Sequence, residues 1–522
     1  MLIVPTSRII LLKNPIEIDY ANELTFASKE AQYNYFYNLP KLECEKATYQ
    51  RKDEVVRFPT DPYLEGTTYD DLIEYNYCMY QNDKWSNKWF YAFIKKVTFD
   101  NPGMSYIELE TDVWQTWCFD ITFKNSFVER EHVNDDTIGL HTIPEGLETG
   151  EYIINSKEST LFNDYAFLMN VSETVSGEKL LATNVNGIWM AGGFYAFDNV
   201  KSMVTVISGY EREDIIKGIW IVPKFLINAS AYNTRWEGQP TPIYYSFTTS
   251  KNYTLDGYNP INNKLKCYPY NYLLETNNNG SSTILHYEKF KSSTCNFSIG
   301  GCATIGCSII SIPQNYNITN NANETEMLIA GKFPTCNWSE DAYTNWLTMN
   351  GVNIGGITLN AEEKGYVGGG LMAGLGAIQL LTGNIIGGAT MVQGFSQIAS
   401  TMQESYRHSL LPDNFKGNIN AGDFLTASGR NGYYFYKMSI KQEYAKIIDK
   451  YFSMYGYKVN DLKLPNISGR SNWNYVKTIG CNILGDIPQE DMEKIKSICN
   501  NGVTLWHNPN TFLDYSQSNN IV

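Results

Sequence analysis

Residues Trp89 to Glu110 read WFYAFIKKVTFDNPGMSYIELE, and this stretch decides the fold class. Two aromatic or β-branched runs, Trp89 to Phe99 and Tyr106 to Glu110, flank the turn residues Asn101-Pro102-Gly103. Such runs favour pleated, half-buried strands, and a turn of this composition joins neighbouring strands. We therefore predict two consecutive strands of an antiparallel sheet.

The same pattern recurs along the chain. Further strands are predicted at Ile9 to Leu12, Ile73 to Tyr80, Phe119 to Val128, Gly187 to Met190, Ile219 to Val222, Ile243 to Thr248 and Cys307 to Ile312. A short helix is expected from Ser28 to Tyr37. Short strands with polar turns are typical of antiparallel sheets or barrels, so we predict a mainly β protein with a few helices. The 522 residues suffice for about two to four domains.

The charge balance is acidic, with a net charge of −14 from 41 basic and 55 acidic side chains. This argues against a protein that wraps nucleic acid, because such proteins need clustered Lys and Arg. It does not exclude a protein past which DNA slides without binding. The N-terminus Met1 to Pro5 has no secretory pattern, and the ten scattered cysteines are interpreted as reduced thiols of a protein made in a cytosol.

The segment from Gly365 to Gln403 contains no Asp, Glu, Lys, Arg or His and is rich in glycine. Its glycines interrupt it too often for a single transmembrane helix. Two halves joined at Thr382-Gly383-Asn384 fit a hairpin better, and their small residues have a spacing that allows close helix packing. Three interpretations stay open: a hairpin buried in a protein core, a segment able to enter lipid, and a linker.

Two amphipathic helices are expected near the C-terminus. Ser439 to Gln442 fits a capping box that precedes apolar residues at helical spacing, and Gly456 is expected to end that helix. The second helix is expected from about Pro488 to Asn500, with Glu490 and Asp491 complementing its dipole.

No catalytic or metal-binding motif is found. The histidines are dispersed, at His132, His141, His286, His408 and His507. Gly368, Gly370 and Ala373 fit a dinucleotide-binding pattern, but they lie in a glycine cluster without a preceding strand. We predict no cofactor, no metal and no enzyme activity, although a site assembled from distant residues would escape this reasoning.

The run Glu129-Arg130-Glu131-His132 follows a predicted strand. It is interpreted either as an exposed, charged strand end or as a switch in which His132 titrates near neutrality.

A family resemblance rests on long motifs at both ends of the chain. They are Tyr106 to Trp117, Phe127 to His132, Asn472 to Thr478, Asp486 to Pro488 and Asn501 to Asn508. These stretches resemble the tail tube and tail knob proteins of short-tailed phages of the phi29 type. The match covers about the first 155 and the last 90 residues.

The resemblance implies a division into four parts. Residues 1–155 and 431–522 would form a β-barrel tube domain, residues 156–350 a β-rich knob insertion, and residues 351–430 a membrane-active loop or helical hairpin. The implied protein is a homohexamer at the distal end of the virion tail, made in the host cytoplasm. Its implied partners are an upstream tail or collar tube protein, the host membrane, passing viral double-stranded DNA that does not stick, and a cell-wall-degrading protein at the tail tip.

In that family the loop plugs the lumen and, on infection, forms a pore in the host membrane for DNA. The apolar residues expected to act in this way are Val367, Leu371, Met372, Leu375, Ile378, Leu380, Leu381, Ile385, Ile386, Met391, Val392 and Phe395. The glycines expected to let the loop pack closely are Gly368, Gly370, Gly374, Gly383 and Gly387. The alternative function is a host cell-surface adhesin whose exposed aromatic residues bind glycan.

Overall fold

The structure is a computed structural model of the 522-residue chain. It describes residues 7–47, 50, 52–60, 67–82, 87–162, 164–171, 183–185, 188–190, 193–198, 202, 216–227, 235–236, 243–276, 282–302, 308–316, 336–337 and 432–518. These residues divide between two compact units. Unit 1 comprises Met1–Glu148, Pro260–Leu265 and Glu443–Val522, and unit 2 comprises Thr149–Asn259 and Lys266–Gln442.

The strands of unit 1 come from both ends of the chain. Its N-terminal strands are β1 (Ser7–Leu12), β2 (Asn22–Leu24), β3 (Lys41–Ala47), β4 (Val56–Pro59), β5 (Tyr77–Gln81), β6 (Trp89–Asn101), β7 (Met104–Thr111), β8 (Ile121–Phe123) and β9 (Ser126–Glu131). Its C-terminal strands are β24 (Tyr457–Lys463), β25 (Trp473–Ile479), β26 (Ile483–Gly485) and β27 (Val503–Trp506).

The strands of unit 2 are β10 to β23. They are β10 (Tyr152–Leu161), β11 (Tyr165–Val171), β12 (Thr183–Val185), β13 (Ile188–Met190), β14 (Gly193–Phe197), β15 (Ile216–Pro223), β16 (Arg235–Trp236), β17 (Ile243–Ser250), β18 (Asn271–Thr276), β19 (Ser282–Leu285), β20 (Thr294–Cys302), β21 (Ser308–Gln314), β22 (Cys336–Asn337) and β23 (Gly432–Ile440).

The α-helices of the described residues all lie in unit 1. They are α1 (Lys29–Tyr37), α2 (Tyr69–Ile73), α3 (Val113–Trp117), α4 (Gln442–Tyr455) and α5 (Gln489–Asn501), of which α4 begins one residue before the boundary. With few helices among many strands, the prediction of a mainly β protein is confirmed. The barrel arrangement of the tube domain stays a prediction.

Three sheets build unit 1. A six-stranded sheet has the order β3-β1-β5-β6-β7-β4, and a five-stranded sheet has the order β2-β27-β25-β9-β24. In the five-stranded sheet, N-terminal β9 lies between C-terminal β24 and β25, so the two ends of the chain form one sheet. β8 and β26 pair separately. Apolar side chains of both ends share one core, in which Trp473 and Trp506 are fully buried.

Two sheets of unit 2 enclose its core. One has the order β10-β23-β18-β19, and the other has the order β17-β20-β21-β22. Phe435 of the first sheet contacts Phe247 and Phe297 of the second, with ring centroids 4.6 and 4.7 Å apart. A further four-stranded sheet, β15-β11-β14-β16, and the pair β12-β13 complete the described part of unit 2.

Several local predictions are wrong in their bounds. The strand expected from Ile73 to Tyr80 begins only at Tyr77, because a capping box between Thr68 and Asp71 starts helix α2, which runs to Ile73. The strand expected from Phe119 to Val128 is interrupted between β8 and β9. The strand expected from Cys307 to Ile312 is β21, which continues beyond Ile312 to Gln314.

The helix expected after Ser439 begins differently. Ser439 lies in β23, and helix α4 begins at Gln442, whose backbone N–H donates to Asp256 Oδ2 at 3.1 Å. The helix ends as expected, since Gly456 has φ +66° and its N–H donates to the Phe452 carbonyl at 2.9 Å. The second helix is confirmed as α5, and Glu490 and Asp491 both lie in its first turn as expected, with Asp491 buried.

Seven cysteines of the described residues are free thiols, in agreement with the prediction of reduced cysteines. They are Cys44, Cys78, Cys118, Cys267, Cys295, Cys481 and Cys499.

Candidate functional site

The residues predicted to form the membrane-active loop lie outside the described residues. Every one of them falls within residues 338–431, so their predicted roles stay predictions. The structure describes the two strands that flank this span, β22 before it and β23 after it. Both strands belong to unit 2. We take the residues around β23 as the candidate functional site, because this strand directly follows the span.

β23 is an inner strand of its sheet. It pairs antiparallel with β10 on one side and with β18 on the other. Gly432, its first residue, faces Leu161 of β10 with φ +153°. A Cβ atom at this position would lie 2.1 Å from the Thr160 carbonyl oxygen, so only glycine permits this approach. The chain therefore enters the sheet directly after the predicted loop.

Aromatic side chains hold β23 in the core of unit 2. Tyr433 and Phe435 are both fully buried. Phe435 stacks on Phe247, and Tyr433 meets Phe162 edge to face with centroids 6.3 Å apart. Full burial of one large apolar side chain is worth about 1.5–3 kcal/mol. This strand is consequently a firm attachment point.

An ion pair adds to this attachment. The Lys437 ammonium on β23 lies 2.7 Å from Glu158 Oε1 on β10 and donates to Ser250 Oγ at 2.8 Å. Although burial acts to raise it, the hydrogen bond and charge of Lys437 hold the pKa of Glu158 below its usual value. Glu158 is therefore ionised at neutral pH and ties β10 to β23.

A second carboxyl group at the site has no such partner. Glu275 lies on β18 opposite Phe435 and is fully buried. Neither of its carboxyl oxygens has a hydrogen-bond partner among the described residues. Burial raises the pKa of Glu275 to about 8, an increase that the neighbouring Ser311 hydroxyl reduces only in part. Glu275 is accordingly protonated at neutral pH, since an unpaired buried charge is costly.

Unit 1 has its own buried polar cluster, which involves the run Glu129 to His132. Arg130, Glu131 and His132 are all buried, so the interpretation as an exposed strand end is wrong. His132 Nδ1 accepts from the Tyr475 N–H at 2.8 Å, and Nε2 donates to the Ser453 carbonyl at 3.0 Å.

The second interpretation of His132, as a titrating switch, is also disfavoured. Burial, assisted by the positive charge of Arg470, lowers the pKa of His132 well below its usual value. The ring is therefore neutral at physiological pH, and its two hydrogen bonds fix one tautomer.

Residues 260–265 return from the middle of the chain to this cluster. Asp449 of α4 accepts hydrogen bonds from the backbone N–H groups of Ile261 and Asn262, at 2.8 and 3.0 Å. Glu145, whose side chain is fully buried, pairs with both Arg130 and Lys264. Buried charges at one place are stable only when paired in this way. The cluster therefore holds three distant chain segments together within unit 1.

A surface cavity of about 470 Å³ lies in unit 1. Its walls include Trp117, Phe90 and two lysines, Lys52 and Lys88. Each lysine is paired with an aspartate, Lys52 with Asp491 and Lys88 with Asp120.

No group of three His, Cys, Asp or Glu side chains is arranged to hold a metal ion in the part of the chain that is described. Within the same residues, no helix has both the length and the apolar character needed to cross a membrane.

Exposed apolar residues form a row across the five-stranded sheet of unit 1. Leu462 of β24 and Ile479 of β25 both face Phe127 of β9, which lies between them. Their exposed fractions are 66%, 56% and 38% for Leu462, Ile479 and Phe127. We call these three residues the apolar row.

Unit 2 carries a row of aromatic side chains that is partly exposed. Tyr272 lies between Tyr152 and Tyr268, with ring centroids 5.4 and 5.8 Å away, and Tyr268 stacks on His286 at 4.2 Å. Tyr152 and Tyr268 are more than one-third exposed, whereas Tyr272 is buried. We call these four residues the aromatic row.

Sequence reasoning missed Glu275, Asp449 and the apolar row. A weak signal for Glu275 was present, since Asn271-Tyr272-Leu273-Leu274-Glu275 puts an acid at the end of an apolar run. The partners of Asp449 lie nearly 190 positions earlier in the chain, and no local pattern indicates them.

Comparisons with known families give two matches. Residues 232–520 match the family described as "Bacillus phage phi29, Tail knob protein gp9, C-terminal domain". Residues 5–124 match the family described as "Caudoviral major tail protein N-terminus".

Individual relatives agree with these families. The chain is 27% identical to the tail knob protein gp9 of Bacillus phage phi29, over 96% of each chain. It is 25% identical to the tail knob protein gp9 of Bacillus phage B103, over 97% of each chain. Among solved structures, the tail knob protein gp12 of bacteriophage C1 has a similar fold, with a TM-score of 0.63 and 17% identity over 99% of this chain and 100% of that one.

Proposed function

Because the chain belongs to the family of the C-terminal domain of the phi29 tail knob protein gp9, we propose that six copies form the distal tail tube and knob through which the genome is ejected. The protein is a structural component of a phage tail in the virion, and its relatives are tail proteins rather than enzymes. In our proposal the segment Gly365 to Gln403 plugs the lumen and later enters the host membrane, forming a pore for DNA.

The observation that carries this proposal is the absence of charge from Gly365 to Gln403, together with the firm attachment of β23 after it. A segment this apolar needs cover from protein or lipid. β23 gives it a fixed attachment in unit 2, so the segment could leave the lumen while the chain stays in the tail. Glycine pairs such as Gly370 and Gly374 would allow copies to pack closely in either state.

Energetics favour a metastable plug. Buried Leu or Ile side chains contribute about 1.5–3 kcal/mol each. In six copies, residues such as Leu375 and Ile386 would bury one another in the lumen and would bury equally well in lipid. The difference between the two states is then small enough for contact with a cell to reverse their populations.

The apolar row supports assembly into a ring. Leu462, Phe127 and Ile479 form a contiguous exposed apolar surface on unit 1. Such a surface commonly marks a protein contact. The proposed partners are the other five copies, an upstream tail or collar tube protein, the host membrane, passing DNA that does not stick, and a cell-wall-degrading protein at the tail tip.

The experiment places one charge in the segment. Phage particles carrying Leu375→Asp or Ile386→Asp should assemble but fail to release liposome contents and fail to deliver their genome. Leu375→Ile is the matched control, because it keeps the side chain apolar and should retain both activities. Normal genome delivery by both Asp variants would refute the membrane role.

The alternative function is an adhesin, and the aromatic row favours it. Exposed tyrosine rings suit the apolar faces of sugars, and Glu288 adds a carboxylate 3.4 Å from His286 Nδ1. Binding of the purified protein to host cell walls should then be lost in Tyr268→Ala. It should be retained in Tyr244→Ala, which removes an exposed tyrosine outside the row. Equal binding by both variants would exclude this surface.

A further inference from the structure

Two cysteines of unit 1 are brought together by one asparagine. Cys481 lies in the turn between β25 and β26, and Cys499 lies in the last turns of α5. Asn500 Oδ1 accepts from Thr478 Oγ1 at 2.8 Å and from the Cys481 N–H at 3.0 Å. Because Asn500 follows Cys499 directly, these bonds hold the turn against the end of the helix.

The two thiols are in contact and differ in character. The Cys481 and Cys499 side chains share a hydrogen bond. This bond, opposed by burial and aided by Thr478 and Lys496, lowers the pKa of Cys481. The same contact, with burial, raises the pKa of Cys499. Cys481 is thus the better thiolate of the two.

Cys481 also differs from other described cysteines. Burial raises the pKa of Cys118 and of Cys295 to about 12, which makes both poor nucleophiles. Cys481 is 6% exposed and lies between two exposed residues, Gly480 and Asn482, so it is just beneath the surface. Cys499 lies deeper, at 1% exposed.

We propose that Cys481 and Cys499 are a thiol pair that closes to a disulfide by exchange with a small external disulfide once the particle has left the reducing cytoplasm. The pair is held by Asn500 in unit 1, and the proposal requires only that the chain is a virion component, not that it forms a pore. It adds a modification site to the tail protein.

The exchange has two steps. The Cys481 thiolate attacks one sulfur of the external disulfide RSSR, which forms the mixed disulfide Cys481–SR and releases RS⁻. The Cys499 sulfur, after giving up its proton to RS⁻, attacks Cys481 Sγ, which forms the Cys481–Cys499 bond and releases a second RS⁻. The protein loses two electrons and two protons, and RSSR becomes two thiols after protonation of the second RS⁻ from water.

The bond would join α5 to the turn after β25. Cross-linking two positions of a chain stabilises the fold mainly by restricting the unfolded chain. We therefore expect the oxidised protein to have a higher Tm than the reduced protein. The gain would come after assembly, when the particle is exposed to the surroundings of the cell.

The test uses oxidised glutathione and the full-length protein. After incubation under native conditions, free thiols are blocked and the protein is digested without reduction. The expected result is a cross-linked peptide that contains Cys481 and Cys499, together with a higher Tm that a reductant reverses. Cys499→Ser should trap a glutathione adduct on Cys481, whereas Cys481→Ser should leave Cys499 unmodified.

Three outcomes would overturn the proposal. One is native protein with both thiols still free, and another is a stable glutathione adduct on Cys481 with Cys499 free. The third is faster modification of another described cysteine, such as Cys118. Should Cys499→Ser fail to fold, the peptide map of the unmodified sequence still decides, and Cys499→Ala provides a second variant.

Discussion

Two glutamates of unit 2 have opposite electrostatic environments. Glu158 is ionised beside Lys437, whereas Glu275 is buried without a hydrogen-bond partner among the described residues. Both lie next to β23, the strand that follows the predicted loop. Stability of this attachment should therefore depend on pH in two different ways.

Glu275→Gln should stabilise the protein above about pH 6. The folded-state pKa of Glu275 is raised to about 8, so the unfolded chain loses its proton at lower pH than the folded protein does. The free energy of unfolding of the natural sequence then falls as pH rises toward 8, by up to about 1.4 kcal/mol per pH unit. The variant should not show this decline. Denaturant unfolding of both proteins at pH 5 and pH 8 measures the difference.

Glu158→Gln is the control, because the contribution of Glu158 to stability changes with pH in the opposite direction. The lowered pKa of Glu158 contributes stability that is present at neutral pH and lost on acidification, so its removal should destabilise the protein at pH 7. If Glu275→Gln leaves the pH dependence unchanged, Glu275 is not the unpaired acid that the geometry indicates.

At the element scale, the two ends of α4 show what a local pattern predicts and what it misses. Gly456 was predicted as the end of the helix from its position after the apolar repeat, and its φ of +66° confirms it. The start was mispredicted, because Gln442 bonds to Asp256, which lies 186 positions away. A helix cap that is supplied by a residue far away in the sequence cannot be predicted from the local pattern.

The same distinction explains the rest of the fold. The strands β6 and β7 were predicted because Asn101-Pro102-Gly103 separates two apolar runs that lie next to each other in sequence. His132 was not predicted to be buried, because its partners Ser453 and Tyr475 lie more than 300 positions later. The loop residues of the candidate site stay predictions from composition and family.

Gly456→Ala should destabilise the protein more than Gly480→Ala. Both glycines have positive φ, at +66° and +73°, which costs an L-residue about 1–2 kcal/mol. A Cβ atom at Gly456 would also lie 2.2 Å from the Glu131 carbonyl oxygen, whereas at Gly480 it meets nothing within 4 Å. Thermal unfolding of the two variants measures the difference. Equal Tm values would show that α4 does not approach β9 this closely.

At the scale of the whole molecule, the apolar row should join copies of the chain. Leu462→Asp or Ile479→Asp would place a charge in a surface that assembly covers. If the proposed ring forms through this row, such variants should fail to form it and should remain smaller in light scattering. Ile447→Asp is the control, since Ile447 is 67% exposed on α4 outside the row and should leave assembly intact. Assembly that is indifferent to all three substitutions would remove the row from the interface.

In the proposed tube, the net charge of −14 would govern how passing DNA interacts with the protein. An acidic lumen would repel phosphates, so DNA would pass without binding, and a lysine facing the lumen would instead attract it. Lys substitutions at exposed acids of unit 1, beginning with Glu108 and Asp461, should therefore include some that slow genome ejection at low salt.

The effect should vanish as salt rises, because the screening length falls to about 8 Å at physiological ionic strength and to about 3 Å at 1 M. Ejection rates from purified particles, measured across a salt series, distinguish this mechanism from a steric one. A lysine that obstructs the lumen by its size would slow ejection equally at every salt concentration, and Gln at the same position would have no effect. An ejection rate that responds neither to charge nor to salt would exclude repulsion by the lumen, since six copies would multiply any single change in charge around the ring.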